Sequence, residues 1–385
     1  MPAIDSRKKL GQIFNQIADA IETGTFGKKT RVVLTTLGSE HGHLELVKGA
    51  EIAQARNSDL EVILIGPACD TSLELHEVTC EKEAHEKMEA MLKNGEADAA
   101  VTMHYNFPVG VSTVGRVITP GTGREMIIAT TTGTSDTHRV GAMVKNAIYG
   151  VATAKAIGID KPKVGILNVD GARQCEKILK ELKKNGYGIE FTESARADGG
   201  VVMRGNDLLM GTPDVMVTDT LTGNLLMKIF SSFTTGGSYE ALGYGYGPGV
   251  GEDFDMIICI LSRASGAPVV AGAIRYAADV AQGKIMAIVD AEIKAARKAG
   301  LDNQLEALKK TSASEVEEVK APPKVTVDEE IPGVDILQID DAVKVLWKEG
   351  IYAETGMGCT GPVVLVPSAE GERARELLKE AGYIL

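Results

Sequence analysis

Met256-Ile257-Ile258-Cys259-Ile260-Leu261 runs straight into Ser262-Arg263-Ala264-Ser265-Gly266, and a helical stretch follows over Val269 to Gln282. The first six residues are apolar without interruption, which marks a strand buried on both faces. A polar turn and an amphipathic helix complete the unit, and the unit recurs. Arg31 to Thr36 leads into Leu37-Gly38-Ser39-Glu40-His41-Gly42 and a helix from about Leu44 to Arg56. Glu61 to Ile65 meets Gly66-Pro67, and Asp98 to Thr102 meets His104 to Pro108. Lys163 to Val169 leads to a helix ending near Leu182, and Asp214 to Thr218 meets Asp219 to Asn224. Such alternation predicts an α/β fold with a doubly wound parallel sheet. Ligands of these folds bind beyond the carboxyl ends of the strands, where the polar turns lie.

Outside that repeat the chain changes character three times. An amphipathic helix opens it, with Leu10, Ile13, Phe14, Ile17, Ala20 and Ile21 on one face and Gly24 or Gly27 as the stop. Packing on its own body and packing on a partner subunit are both open. A boundary near Gly150 to Asp160 divides an N-terminal α/β subdomain, 1–150, from a second one, 151–308. Residues 309–333, with Pro322, Pro323 and Pro332, read as a linker. A small C-terminal α/β module, 334–385, follows: a helix over Ile339 to Lys348, a strand-like run from Gly350 to Ala353, a loop, Val363 to Val366, and a helix over Glu370 to Glu380.

Composition narrows the function. The 385 residues carry a net charge of −12 and only 4% aromatic side chains, which disfavours nucleic acid as the main ligand. No apolar run reaches membrane-spanning length and the start lacks a signal-peptide core, so no membrane contact and a cytoplasmic location are expected. Five cysteines, with no CxxC and no histidine at ligand spacing, predict reduced thiols and no metal.

One of those thiols stands apart. Cys359 lies in Gly356-Met357-Gly358-Cys359-Thr360-Gly361-Pro362, where glycines clear the approach to the sulfur. A thiolate is a strong nucleophile, and the amides of Gly358, Thr360 and Gly361 are candidate oxyanion donors. Two turns are candidate anion sites: Ser262, Arg263 and Ser265, and Asp219 with Gly223, Asn224 and Lys228. Seven glycines between Gly236 and Gly251 suggest a mobile cover. No base for Cys359 emerges, since His41, His43, His104 and His138 all fall in loops. Whether the module carries its thiol between two stations or fills one fixed site is open.

The stretch from Pro213 to Asn224 and Lys228 is similar to the DxxV-x-D-x-x-x-GN-x-x-x-K stretch of phosphate acyltransferases. Ser262 to Gly266 with Gly272-Ala273-Ile274-Arg275 looks like their later motif. The resemblance spans Lys163 to Gln282 and implies a phosphate acetyltransferase/PlsX-like fold, two α/β subdomains around a cleft. Thr35 to Gly42, the Cys359 module and the length resemble the alpha-subunit family of glycine reductase component C. That resemblance implies an acetyl-phosphate-forming enzyme. Its acetyl unit comes from carboxymethyl-selenoprotein A, becomes a cysteine thioester on Cys359, and is cleaved by inorganic phosphate held at Ser262, Arg263 and Ser265. It also implies a beta-subunit partner, a homo- or hetero-oligomer, and no tightly bound cofactor, with phosphate as substrate. The motif match carries Gly223 and Asn224 to the acyl or phosphate pocket. Two other readings are open: a CoA- or carrier-dependent phosphate acyltransferase with an incidental Cys359, and a non-catalytic scaffold subunit.

Overall fold

The computed structural model describes residues 11, 14, 15, 17, 18, 20, 21 and 28–384, except 197, 198, 314–318, 337, 359 and 360. The strands of the body are β1 (Thr30–Thr35), β2 (Leu60–Gly66), β3 (Glu74–Glu77), β4 (Ala99–Thr102), β5 (Val111–Ile118), β6 (Glu125–Gly133), β7 (Lys163–Leu167), β8 (Glu190–Phe191), β9 (Val202–Met203), β10 (Val215–Val217), β11 (Gly247–Gly251) and β12 (Ile258–Ile260). Its helices are α1 (His43–Arg56), α2 (Glu81–Lys93), α3 (Arg139–Ala156), α4 (Ala172–Lys184), α5 (Gly205–Met210), α6 (Thr220–Ser232), α7 (Ala267–Gln282), α8 (Ile285–Lys298) and α9 (Leu301–Ala313). All twelve strands join one sheet in the order β3-β2-β1-β4-β12-β11-β5-β6-β10-β7-β8, with β9 also beside β7.

Parallel pairing runs through each end of that sheet, as the unbroken apolar strands require. On one side β1 pairs parallel with β2 and β4, and β4 with β12. On the other β10 pairs parallel with β6 and β7. An antiparallel centre joins them, β12 to β11, β11 to β5 and β5 to β6. Val32, Leu34, Val62, Leu64 and Val101 pack with Cys259, Val270 and Ile274 in one core, while Ile127, Val164, Ile166 and Val215 pack against α3 in another.

The expected division at residue 150 is corrected. Residue 150 falls inside α3, which is buried along nearly its whole length. A Cβ on Gly150 would meet Val215 Cγ1 at 2.5 Å, so the helix lies directly on β10. The halves interleave instead: β1–β4 are completed by β12 and α7 from much later in the chain.

The glycine-rich stretch is corrected as well. Gly247–Gly251 is β11, buried throughout at the centre of the sheet. A Cβ on Gly247 would sit 1.8 Å from the Val114 carbonyl oxygen, and one on Gly249 would strike the Phe107 ring at 2.2 Å. Glycine is there for close packing rather than motion. Of this stretch, Gly237, Ser238 and Tyr246 reach the cleft described below.

The C-terminal module has its own three-stranded antiparallel sheet, β13-β15-β14, from β13 (Glu329–Pro332), β14 (Glu354–Gly358) and β15 (Gly361–Val366). Helices α10 (Ile339–Lys348) and α11 (Gly371–Glu380) cover it. Val343, Leu346, Val364, Val366, Ala374 and Leu378 form a core separate from the body's. The expected linker is therefore shorter at both ends, because α9 continues to Ala313 and β13 begins at Glu329. The strand expected at Gly350 to Ala353 is instead Glu354–Gly358, where pairing with β15 outweighs a weakly apolar sequence.

Polar contacts fasten the module to the body. The Gly171 amide, at the start of α4, donates to Asp335 Oδ1 at 3.1 Å, and Lys177 Nζ donates to the Gly382 carbonyl at 3.1 Å. A carboxylate at a helix N-terminus is stabilising by about 1 kcal/mol. Asp335→Ala is therefore expected to speed proteolytic cleavage within 319–328 several-fold, leaving the body's melting temperature unchanged. An unaltered digestion rate would show that other contacts hold the module.

Of the N-terminal helix, the described residues between 11 and 21 are helical and Phe14, Ile17 and Ile21 are exposed. Leu10, Ile13, Gly24 and Gly27 lie outside the described residues.

Candidate active site

The loops after β1, β4 and β12, the end of β6 and the first turns of α6 meet in a cleft. They enclose a cavity of about 470 Å³ lined by Asn224, Lys228, Ser262, Arg263, Glu40 and Thr132, among others. Two motifs separated by tens of residues thus share one site. β12 ends at this cavity with Ile260, and α6, which follows β10, borders it.

The turn after β12 is closed by its own serines. The Ser262 amide donates to Ser265 Oγ at 3.2 Å, the Ala264 amide donates to Ser262 Oγ at 3.2 Å, and the Ser265 amide donates to the Ser262 carbonyl at 3.0 Å. Ser265 Oγ donates onward to Glu240 Oε2 at 3.1 Å and is fully buried, so it shapes the turn from behind the cavity wall. Lys228 Nζ reaches Ser262 Oγ at 3.2 Å and lies 3.7 Å from Glu240 Oε1. Glu240 itself is buried, and its main chain brackets the turn, its amide donating to the Ala264 carbonyl and its carbonyl accepting from Gly266. Burying a carboxylate is costly unless it is paired, and Lys228 and Ser265 supply the pairing. Burial pushes the nearby Tyr246 hydroxyl well above its ordinary value.

Arg263 is exposed at the cavity, and among the described residues its guanidinium makes no ion pair. Its carbonyl accepts from the Glu40 amide at 2.9 Å, which seats the Leu37 to Gly42 loop against the turn. His41 follows, with Nε2 at 3.2 Å from the Ala264 carbonyl and its ring 5.1 Å from that of Tyr239.

At each neighbouring helix N-terminus a carboxylate takes one first-turn amide. The Ala267 amide of α7 donates to Glu45 Oε1 at 2.9 Å, which also accepts from the Tyr239 hydroxyl at 2.7 Å. Those donors, the Ala267 amide foremost, hold the Glu45 carboxyl below the ordinary range. At α6 the Thr222 amide donates to Asp219 Oδ1 at 3.1 Å, and Arg139 pairs with the same carboxylate at 3.4 Å. Asp219 is a helix cap outside the cavity wall. An anion in this cavity therefore meets side chains first, those of Arg263, Lys228 and Asn224.

Gly223 is also structural. A Cβ there would lie 1.7 Å from the Thr130 carbonyl oxygen, so only glycine lets α6 approach β6. That approach carries Asn224 to the cavity, where its Nδ2 donates to the Thr131 carbonyl at 3.2 Å. Gly223→Ala is expected to lower stability by about 2 kcal/mol or more, an overpacking effect. A melting temperature equal to wild type would show that the helix can shift away freely.

Cys359 and Thr360 lie outside the described residues. Gly358 is paired with Gly361 at the end of the β14–β15 pairing. Pro362 on β15 faces Asn168, Asp170 and Arg204 across a cavity of about 300 Å³ at the carboxyl end of β7. Arg139 links Asp170, at 3.6 Å, to Asp219 on α6.

Residues 30–365 match the family described as fatty acid synthesis protein. The chain is similar to the glycine/sarcosine/betaine reductase complex component C subunit alpha of Peptoclostridium acidaminophilum, 60% identical over 382 residues, with 99% of each chain covered. It belongs to this family, with the component C alpha subunits. The chain is also similar to a phosphate acyltransferase of Azorhizobium caulinodans, 28% identical over 239 residues, covering 51% of this chain and 67% of the relative. Among solved structures a branched-chain phosphotransacylase from Enterococcus faecalis V583 matches with a TM-score of 0.48 and 17% identity, over 66% of this chain and 99% of the other. Among the described residues, no helix is long and apolar enough to cross a membrane.

Sequence reasoning missed Glu240 and left His41 without a place. Glu240 carried no signal, standing in a glycine-rich stretch with no charge partner nearby in the chain. His41 could have been found through its adjacency to Glu40 in the polar turn after β1, which the fold rule for strand ends already marked.

Proposed function

We propose that this chain transfers an acetyl group from a thioester on Cys359 to inorganic phosphate, closing a glycine, sarcosine or betaine reduction. The two-carbon unit originates as the carboxymethyl group of a selenoprotein, and a beta subunit completes the complex. A phosphate oxygen attacks the thioester carbonyl, the new C–O bond forms and the C–S bond breaks. Its electron pair leaves on sulfur as a thiolate, and acetyl phosphate is released. A thioester is an activated acyl group, so phosphorolysis conserves its energy where hydrolysis would dissipate it. Arg263 and Lys228 hold the phosphate, and Asn224 and Ser262 supply hydrogen bonds to it or to the oxyanion.

The observation that carries this reading is the meeting of Arg263, Lys228, Asn224 and Ser262 in one cavity of a chain so similar to a component C alpha subunit. Arsenate tests it, since acetyl arsenate hydrolyses spontaneously. The isolated chain is expected to catalyse arsenate-dependent breakdown of acetyl phosphate without CoA. A strict need for CoA or an acyl carrier would favour the carrier-dependent phosphate acyltransferase instead, and inactivity until the beta subunit is added would favour a scaffold.

A further inference from the structure

A second pair of cations stands where two parallel strands end. Arg204 directly follows β9, and Arg173 lies in the first turn of α4, the helix after β7. β7 and β9 pair parallel through Leu167 and Met203, and the carboxyl ends of such strands are where ligands bind. Both guanidiniums line the cavity of about 300 Å³ that Pro362 faces, and both side chains are half-buried. The acids on that wall have partners of their own. Asp335 Oδ1 accepts from the Gly171 amide at 3.1 Å, and Asp170 lies 3.6 Å from Arg139. Arg173 Nη1 reaches Glu176 Oε2 at 3.1 Å, but Glu176 also pairs with Lys180 at 2.9 Å. A guanidinium carries five N–H donors, so that one pairing leaves Arg173 with donors to spare. Val169, Ala172 and Val334 make much of the remaining wall apolar.

We propose that this cavity binds the carboxylate of the carboxymethyl donor, with Arg204 and Arg173 as its forks. The inference rests on the thioester reading above, which requires two anionic reagents, phosphate and a carboxylate. The cavity around Arg263 serves the first, and a shared site would make phosphate block loading of the thiol. Three features favour a carboxylate here over a second phosphate. A guanidinium fork matches the plane and spacing of a carboxylate. No lysine and no hydroxyl side chain lines this cavity among the described residues, whereas Lys228 and Ser262 line the other. The apolar wall suits the methylene that a carboxymethyl group carries and phosphate lacks, and the volume is at the small end for ligand sites. Asn168, Asp170 and Ile336 on its lining are exposed, so a side chain borne by another protein has an entrance. Pro362 is the third residue after Cys359, a chain length of at most about 10 Å.

Two alkylating reagents test this on the full chain. Iodoacetate carries a carboxylate on its methylene, and iodoacetamide is its neutral counterpart. In both, sulfur attacks the methylene and iodide leaves, so their rate ratio at one thiol reads how the carboxylate is received. Peptide mass analysis follows each cysteine separately. Cys359 is expected to react roughly 10-fold faster with iodoacetate, the worth of a charge-assisted hydrogen bond, with a rate that saturates and is slowed by acetate. Exposed Cys80, beside Glu81 and Glu83, should prefer iodoacetamide. Arg204→Gln and Arg173→Gln should each lower the Cys359 ratio several-fold, the double variant should bring it to that of Cys80, and Arg204→Lys should fall between. Lys344→Gln, which removes a module cation outside the cavity, should leave the ratio alone. A loosened fold changes both rates together and cancels in the ratio. A wild-type Cys359 that shows no preference, or that neither reagent modifies, would overturn the proposal. So would a ratio that survives in the double variant, one lost through Arg263→Gln alone, or protection by phosphate equal to that by acetate. Any of these with acetyl phosphate still acetylating Cys359 would strike the carboxylate site alone; absent acetylation would strike the thioester reading.

Discussion

Arg263→Lys should leave acetylation of Cys359 by acetyl phosphate detectable while lowering kcat/KM for phosphate or arsenate roughly 10- to 100-fold. That range is the worth of one charge-assisted hydrogen bond of about 1.5–3 kcal/mol. The lysine keeps the charge but loses the planar fork that grips two phosphate oxygens. Arg263→Ala should fall further, because it loses the charge as well as the fork, and the Ala267 and Thr222 amides are already taken by Glu45 and Asp219. Lys228 cannot substitute fully, being shared with Ser262 and Glu240. Steady-state arsenolysis over a range of arsenate concentrations reads the effect. Equal arsenate dependence in wild type and Arg263→Lys would place the anion elsewhere.

Cys359→Ser should abolish acetyl transfer while leaving the module folded, since the β14–β15 pairing reaches Gly358 and Gly361 without that side chain. A serine ester is a far poorer acyl donor to phosphate than a thioester. The other four thiols do not replace it. Cys175 and Cys259 are fully buried in the cores, and burial pushes both thiols far above their ordinary values. Burial also raises Cys69. Cys80 is exposed at the start of α2, far along the chain from either motif, and serves as the alkylation control. Iodoacetamide should inactivate wild type, and prior acetylation should protect it. Inactivation that tracks modification of Cys80 would contradict the assignment.

Much of the fold could be read because its parallel strands are buried on both faces and therefore uninterruptedly apolar. Ile258 to Ile260 and Val215 to Val217 stand where the pattern put strands. The antiparallel centre was hidden for the opposite reason. β11 is Gly-Pro-Gly-Val-Gly, a strand only because Val114 and Phe107 leave no room for side chains. The interleaving of the halves rests on β4 pairing with β12, a contact between residues some 150 positions apart that no local pattern encodes. At the site, the motifs at Asn224–Lys228 and Ser262–Arg263 were legible by residue type. Their division of labour was not, because Ser265, Asp219 and Gly223 turn their groups inward to Glu240, Thr222 and β6. Chemical type singled out the turns; packing decided which of their residues face the cavity.

The central claim is that this chain carries an acetyl group on Cys359 and exchanges it with phosphate. Mass analysis of the intact isolated chain after exposure to acetyl phosphate, followed by peptide mapping, tests it most directly. One hydroxylamine-labile acetyl group on Cys359, discharged by added phosphate or arsenate, is the predicted result. An unmodified chain, or an acetyl group that remains in Cys359→Ser, would contradict it.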